Sequence, residues 1–273
     1  MSSFQLPTKE HKHDYVLSQF DRIARGYDKS NDVISLGMHR SWKLRAVGEL
    51  LGVNQGGRYL DVCCGTGDLA ILIARMAHRG SEVIGLDFSQ GMLDMAAIRQ
   101  ERAERRKPQL QGKHISWRRG DAQNLPFGDK EFDGAIVSFG LRNLTDLQRG
   151  LDEMSRVVKS GGRVVNLDLG HTTVPVFKDF YQFYFREVVP VIGGILQNDK
   201  TAYTYLPESL TTYPKPDEIT RMFAKAGLTD IKHIPLALGT VALHVERVDE
   251  SPRGSRQTHW RYCGQAQSDG LCR

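Results

Sequence analysis

In the stretch Tyr59-Leu-Asp-Val-Cys-Cys-Gly-Thr-Gly-Asp-Leu-Ala70, an apolar run passes through a glycine-rich turn into an amphipathic segment. Gly65, Gly67 and Ala70 have the G-x-G-x-x-G/A spacing of a nucleotide-binding strand–turn–helix unit. Glycine tolerates positive φ and lets a ligand approach the backbone closely. The helix N-terminus beyond the turn favours negative charge. The stretch therefore predicts a ligand-binding loop between a buried strand and a helix.

A second strand supports this interpretation. Val83-Ile-Gly-Leu-Asp87 ends in an acid 22 residues after Gly65. A carboxylate about 20 residues beyond the loop can accept both hydroxyls of a ribose. The pair of features predicts a nucleoside, and NAD and S-adenosylmethionine satisfy it equally. A tight turn in a ligand-free domain is the alternative.

Short apolar runs alternate with amphipathic ones across residues 58–170, which predicts an α/β, doubly wound, Rossmann-like sheet with helices on both faces. We predict strands at 58–62, 83–86, 115–118, 134–139, 163–167, 229–236 and 240–248, and helices at 68–78, 90–106, 146–159 and 215–226. Residues 13–57 look helical, with a loop around Ser35–Gly37. We expect residues 1–12 to be mobile, 13–248 to form one domain and 249–273 to be disordered.

The next strand ends carry more polar groups. Asp121 and Ala122 follow the third strand, and Ser138 ends the fourth, ahead of Arg142 and Asn143. Ligands of open α/β sheets bind at the carboxyl ends of the strands. Asp87, Asp121 and Ser138 would suit ribose, adenine and an amino-acid moiety. A pyrophosphate site would have fewer acidic side chains nearby, since they would repel the negative charge of the phosphates.

Two further stretches carry a closer likeness. They are Tyr27-Asp-Lys-Ser-Asn-Asp-Val-Ile-Ser-Leu-Gly-Met-His39-Arg-Ser-Trp42 and Arg156-Val-Val-Lys-Ser-Gly-Gly-Arg-Val-Val-Asn-Leu-Asp168-Leu-Gly170. With the glycine loop, they make the chain resemble the ubiquinone/menaquinone biosynthesis C-methyltransferases, which are class I S-adenosylmethionine-dependent enzymes. Ser30, Ser160, Asp168 and Gly170 depart from the family pattern.

The resemblance implies methyl transfer from S-adenosylmethionine to a ring carbon of a reduced, prenylated quinone, either a demethylmenaquinol or a methoxy-benzoquinol. It also implies a seven-stranded, mostly parallel sheet with an antiparallel final strand, a helical cap at 13–57 and a lid at 171–215. The implied cofactor-binding residues are Gly65, Thr66, Asp87, Asp121, Ala122 and Ser138.

The reaction needs alignment of the two partners and management of one proton. By resemblance, Arg142, Asn143 and Tyr27 are the candidate catalytic residues. An arginine stays protonated, so it would stabilise a phenolate or orient a water molecule rather than act as the base. Asp168 and His39 are rival bases, although a structural role is the better interpretation of His39. No metal-ligand cluster is evident in the sequence.

The substrate's tail needs an apolar surface. Six aromatic residues could line it or dock on a bilayer, namely Phe177, Phe180, Tyr181, Phe183, Tyr184 and Phe185. The alternative is a helix that packs these aromatics into the core. We expect a cytoplasmic protein that can associate peripherally with the inner face of the membrane, and a homo-oligomer is compatible with the sequence.

Composition excludes other classes. The chain has 273 residues, 40% of them hydrophobic and 25% charged, which is typical of a globular protein. Four cysteines do not form a disulfide scaffold, and no secretory signal or long apolar run is present. Residues 99–119 carry a net charge of +6, whereas the net charge of the whole chain is +5. The rest of the chain is therefore slightly acidic, and nucleic-acid binding is not expected. An NAD-dependent oxidoreductase, a non-catalytic scaffold and an RNA or small-molecule methyltransferase remain as alternatives.

Overall fold

The predicted strands form one seven-stranded sheet in the order β3-β2-β1-β4-β5-β7-β6. We analysed a computed structural model, which describes residues 7–52, 56–106, 110, 113–172, 174–197, 205 and 208–249. The strands are β1 Arg58–Val62, β2 Glu82–Asp87, β3 His114–Arg119, β4 Phe132–Ser138, β5 Val158–Leu169, β6 Leu228–Leu236 and β7 Val241–Val248. Only β7 runs antiparallel to its neighbours, β5 and β6. The predicted doubly wound sheet with an antiparallel final strand is thereby confirmed.

Helices surround the sheet, and the bounds of nine α-helices are well defined. They are α1 Lys9–Ile23, α2 Tyr27–Ile34, α3 His39–Leu51, α4 Asp68–Met76, α5 Gln90–Arg106, α6 Leu147–Val157, α7 Pro175–Phe183, α8 Val189–Gln197 and α9 Pro216–Lys225. A π-helical segment, Tyr184–Val188, joins α7 to α8. None of the described helices is long and apolar enough to cross a membrane.

Two of the boundaries that differ from the predictions have a clear physical reason. Helix α1 begins at Lys9, so residues 9–12, expected to be mobile, form its first turn. The reason is a tertiary contact: the Lys12 ammonium donates to two backbone carbonyls some 130 residues away. Strand β5 also starts five residues early, because its first half is too polar to be recognised as a strand. Residues 1–6 and 250–273 lie outside the described residues.

Apolar side chains on both faces of the central strands bury the sheet. Tyr59 and Ile136 pack on one face with α3 and α4, whereas Leu60 and Val137 pack on the other face with α6 and α9. Fully burying such side chains contributes roughly 1.5–3 kcal/mol each. Because both faces are covered, β4 is apolar without interruption from Gly134 to Val137.

The parallel register aligns the carboxyl ends of the central strands. Val62 of β1 pairs with Leu86 of β2 on one side and with Val137 of β4 on the other. The residues that follow these three positions are Cys63, Asp87 and Ser138, so the chain turns away from the sheet at one common edge. That edge holds the candidate site.

Candidate functional site

The glycine loop has the strained backbone that its sequence predicts. Cys63, Gly65 and Gly67 all have positive φ, at 55°, 53° and 75°. A Cβ on Gly67 would lie 2.3 Å from the ring of Trp117, so packing alone demands glycine there. A Cβ on Gly65 would meet nothing within 4 Å. Gly65 therefore provides the left-handed turn and leaves its outer side open to a ligand.

The acid of β2 lies directly against this loop, as the spacing predicts. Asp87 is buried, and its two carboxylate oxygens accept hydrogen bonds from the Gly65 N–H (2.8 Å) and the Ser89 N–H (3.0 Å). Burial raises the pKa of Asp87 to about 6, against the opposing effect of these N–H donors. Each oxygen retains acceptor capacity for a ligand hydroxyl.

A cavity opens over the carboxyl edge of the sheet, with about 690 Å³ of space between its walls when the solvent at its mouth is included. Its floor comes from the strand ends, and its roof from α1 and α2. The lining includes His13, Val16, Phe20, Tyr27, Cys63, Gly65, Asp87, Phe88, Asp121, Ala122, Ser138, Phe139, Asn143 and Leu144. Five of the six predicted cofactor-binding residues thus line one cavity.

Polar groups in this cavity are suited to a nucleoside with a polar tail. Asp121 Oδ1 accepts from the Gln123 backbone N–H at 2.9 Å and keeps its other oxygen for a ligand. Ser138 Oγ is buried and has no partner among the described residues. Buried hydroxyls are nearly always bonded, so Ser138 and the open side of Gly65 fit a bound cofactor.

Thr66 uses its hydroxyl for contacts within the chain. Its side chain does not line the cavity. The hydroxyl donates to Asp28 of α2 at 2.7 Å and accepts from Arg99 of α5 at 3.0 Å. Following Gly65, Thr66 faces the helical cap rather than the ligand side. The hydroxyl therefore fastens the cap to the glycine loop.

Arg142, the candidate catalytic residue that follows β4, forms a buried ion pair. Arg142 lies in the 3₁₀ turn Leu141–Asn143, and its Nη1 donates to Asp168 Oδ1 and to the Phe139 carbonyl, both at 2.6 Å. Burial acts to lower the pKa of Arg142, but Asp168 outweighs it, so the pKa is raised and the cation is secure. Asn143 and Tyr27 line the cavity, whereas Arg142 lies behind them.

The two rival bases have structural partners. Asp168 is fully buried and holds Arg142. His39 Nε2 lies 2.8 Å from Asp32 Oδ1, outside the residues that line the cavity, and burial lowers the pKa of this histidine. The geometry agrees with the structural interpretation of His39. No group of three or more metal-ligating side chains occurs in the described ranges.

Sequence reasoning missed Asp61 and the roof of the cavity. Asp61, on β1, accepts from the Ala70 N–H at 2.9 Å and so ties the strand to the first turn of α4. Burial raises its pKa to about 8. The sequence signal that could have revealed Asp61 was an acidic residue inside an otherwise apolar strand. His13 and Phe20 of α1 pack edge-on against Phe88, at 5.5 and 6.5 Å between ring centroids, and only the amphipathic pattern of α1 hinted at them.

Comparisons with known proteins agree with this geometry. A model of the ubiE/COQ5 methyltransferase family matches residues 8–247. A demethylmenaquinone methyltransferase of Desulfitobacterium hafniense is 40% identical over 232 residues, covering 85% of this chain and 89% of the relative. A ubiquinone/menaquinone biosynthesis C-methyltransferase of a Geobacter species is 37% identical over 234 residues, covering 86% and 96%. A SAM-dependent methyltransferase structure from Thermotoga maritima shares the fold, with a TM-score of 0.58 at 19% identity, covering 85% of this chain and 99% of that one.

Proposed function

The chain belongs to the ubiE/COQ5 methyltransferase family, and from that premise we propose that it methylates a ring carbon of a reduced, prenylated quinone, with a demethylmenaquinol as substrate. The observation that carries the proposal is the cavity that joins Asp87, Asp121 and Ser138 to Asn143 and Tyr27. Relatives named as demethylmenaquinone methyltransferases support the choice of ring.

The cofactor of this family, S-adenosyl-L-methionine, supplies an electrophilic methyl group on a sulfonium. In our proposal Asp87 accepts hydrogen bonds from the ribose hydroxyls and Asp121 from the adenine amine. Ser138 binds the amino-acid moiety with its unpaired hydroxyl. The backbone at Gly65 allows close approach. These residues bind and orient the methyl donor. They contribute through proximity and form no covalent bond themselves.

The acceptor carbon becomes a better nucleophile as the neighbouring ring hydroxyl loses its proton. Arg142 lies behind Asn143, which forms part of the cavity wall. Its ion pair with Asp168 keeps the guanidinium group cationic. A fixed positive charge in a buried site stabilises a developing phenolate far better than one in water. We assign that role to Arg142, and we assign the positioning of the ring or of a proton-accepting water to Asn143 and Tyr27.

The test is methyl transfer from labelled S-adenosylmethionine under reducing conditions, with a demethylmenaquinol and a methoxy-benzoquinol in parallel. We expect product from the demethylmenaquinol. Product from the benzoquinol alone would correct the ring, and no product despite cofactor binding would refute the proposal. Arg142→Ala should bind the cofactor normally yet lose transfer by about 100-fold or more. Normal turnover in that variant would remove Arg142 from the mechanism.

We also propose that the enzyme meets its lipid-soluble substrate at a membrane surface. Leu36, in the turn between α2 and α3, is 78% exposed, and Phe183 and Val191 on the α7–α8 segment are 59% and 54% exposed. The two elements are joined, since the Tyr184 hydroxyl donates to the Ile34 carbonyl at 2.8 Å. Large apolar side chains that share one exposed face favour interfacial docking. The side chains of Phe177 and Phe180 lie outside the described residues.

Flotation with anionic lipid vesicles tests this surface. Leu36→Asp combined with Phe183→Asp should reduce the bound fraction, while cofactor affinity stays unchanged. Ile98→Asp is the matched control, because Ile98 is 41% exposed on α5, a different helix. Equal binding of the double variant and the control would contradict membrane docking through this face.

A further inference from the structure

Four buried polar atoms near Arg142 have no hydrogen-bond partner within the part of the chain that the structure describes. They are Arg142 Nε, Asn143 Oδ1, Tyr181 Oη and Tyr205 Oη. Arg142 and Tyr205 are more than nine-tenths buried. Buried polar groups in native proteins are overwhelmingly bonded, so a cluster of unsatisfied ones calls for an explanation. The cofactor cavity does not explain the two phenols, which are absent from its lining.

The two phenols interact electrostatically with Arg142 and lie on elements that the mechanism has not used. Tyr181 lies on α7 and packs against Phe185, with 4.5 Å between ring centroids. Tyr205 follows α8 in the chain and packs against Tyr15 of α1, at 5.7 Å. Burial raises the pKa of both phenols, to about 12 for Tyr205, while the positive charge of Arg142 acts in the opposite direction on each. Both hydroxyls therefore remain protonated donors near the guanidinium.

A purely structural role does not account for these hydroxyls. A buried hydroxyl without a partner is destabilising, and phenylalanine would fill the same space without that penalty. Tyr213 shows the contrast, because its buried hydroxyl is paired with the Asn166 side chain at 3.4 Å. Tyr181 and Tyr205 are thus suited to a polar partner that comes from outside the chain.

We infer that Tyr181, Tyr205 and Arg142 form the subsite that binds the ring oxygens of the quinol. This inference rests on the proposed function and deepens it, because it assigns the hydroxyls of the acceptor ring to named donors. A quinol carries oxygens on opposite sides of its ring, so one donor cannot hold it. Donors from α7, from the segment after α8 and from the 3₁₀ turn surround the ring. Their convergence fixes which carbon faces the methyl donor.

The subsite also explains why the aromatic segment is amphipathic rather than wholly apolar. Phe183 is exposed to solvent, whereas the Tyr181 hydroxyl is buried and interacts with the charge of Arg142. One helix thereby provides a polar contact for the ring and an apolar surface near the tail. A substrate with a polar head and a prenyl chain needs both properties at neighbouring positions.

The experiment compares Tyr181→Phe, Tyr205→Phe and the double variant with the wild-type protein. Steady-state methyl transfer to a short-chain demethylmenaquinol gives KM and kcat, and titration gives the Kd for S-adenosylmethionine. We expect KM to rise about tenfold for each lost hydrogen bond, with an unchanged cofactor Kd. Thermal stability should stay equal or increase, because an unsatisfied hydroxyl has been removed.

Tyr59→Phe is the matched control. The Tyr59 hydroxyl donates to the Gly56 carbonyl at 3.2 Å, at the opposite edge of the sheet. This control should lower thermal stability and leave KM unchanged. The inference is overturned if the double variant methylates the quinol with the wild-type KM.

A binding measurement separates this inference from the proposed function. Calorimetric titration with a 1,4-naphthoquinol, in the presence of S-adenosylhomocysteine, reports ring binding without turnover. If the wild type transfers no methyl group but binds the naphthoquinol in a manner that depends on both tyrosines, the proposed function fails and the subsite stands. If binding is absent, or equal in the double variant, the subsite is refuted.

Discussion

At the scale of single residues, buried carboxyl groups hold the loops of the site, and one of them, Asp87, also faces the cavity and keeps acceptor capacity for a ligand. Asp87 bonds the Gly65 and Ser89 N–H groups, and Asp61 bonds the Ala70 N–H. Burial raises both pKa values, to about 6 and about 8. A carboxylate that must accept ligand hydroxyls works only when it is deprotonated. Cofactor affinity should therefore depend on pH.

We expect the affinity for S-adenosylmethionine to fall as the pH drops through about 6, the pKa of Asp87. Binding favours the deprotonated form, so the loss approaches tenfold per pH unit below that pKa. Asp87→Asn should weaken binding by about 10- to 100-fold at pH 7.5 and remove the dependence near pH 6. Titrations between pH 5 and 8 measure both effects. A variant that keeps the wild-type profile would show that another group is responsible.

The sequence predicted the residue pairs whose partners lie at strand ends. The spacing between Gly65 and Asp87 was enough, because parallel strands place their carboxyl ends together. It could not predict that Thr66 bonds Asp28 or that Lys12 reaches the Leu144 carbonyl. Those contacts depend on how the helical cap docks on the sheet, and no local pattern encodes that.

At the scale of elements, strand β7 contains a polar group in the core. Glu246 is fully buried, and neither of its carboxylate oxygens has a partner in the described segments. Burial raises its pKa well above the ordinary value. Strand β7 lies between β5 and β6, and Glu246 has no exposed surface, so its carboxyl group cannot reach solvent without a local opening of the packing. The folded protein therefore holds Glu246 in its neutral form.

Glu246→Gln should make the fold more stable at neutral pH. Because the folded-state pKa is raised, wild-type stability is fully present below the unfolded pKa of about 4.3 and is lost as the pH rises toward the folded value. Thermal unfolding at pH 4.5 and pH 8 should show a small difference between variant and wild type at the lower pH and a larger one at the higher. A gap independent of pH would mean that Glu246 is ionised in the fold.

Boundaries of elements were predicted well where apolar pattern and burial coincide. Strand β1 and helix α5 occupy the predicted residues 58–62 and 90–106. Strand β5 was predicted too short, because Lys159–Gly162 lacks apolar residues and lies at an irregularity where the pairing with β4 passes from Val158 to Arg163. Hydrophobic periodicity reports burial, so polar strand segments that are not buried escape it.

At the scale of the whole molecule, the N-terminal helix closes the site that the sheet opens. His13, Val16 and Phe20 of α1 roof the cavity. The Lys12 ammonium donates to the Arg142 carbonyl at 3.0 Å and to the Leu144 carbonyl at 2.7 Å. Burial and the charge of Arg142 lower the pKa of Lys12. One side chain thus anchors the roof to the turn that carries the proposed catalytic arginine.

This arrangement predicts that α1 limits cofactor release. The roof covers the carboxyl edge of the sheet, so the cofactor leaves only when α1 moves, and the two Lys12 hydrogen bonds oppose that motion. Lys12→Met keeps the length of the side chain and removes both bonds, so we expect S-adenosylmethionine to dissociate about tenfold faster or more, with little change in thermal stability. Lys225→Met, on the exposed face of α9, should leave the rate unchanged. Stopped-flow displacement by S-adenosylhomocysteine measures it. Equal rates in the Lys12 variant and the wild type would mean that the cofactor leaves by a path that does not require α1 to open, and the anchoring of α1 would then serve the fold rather than the catalytic cycle.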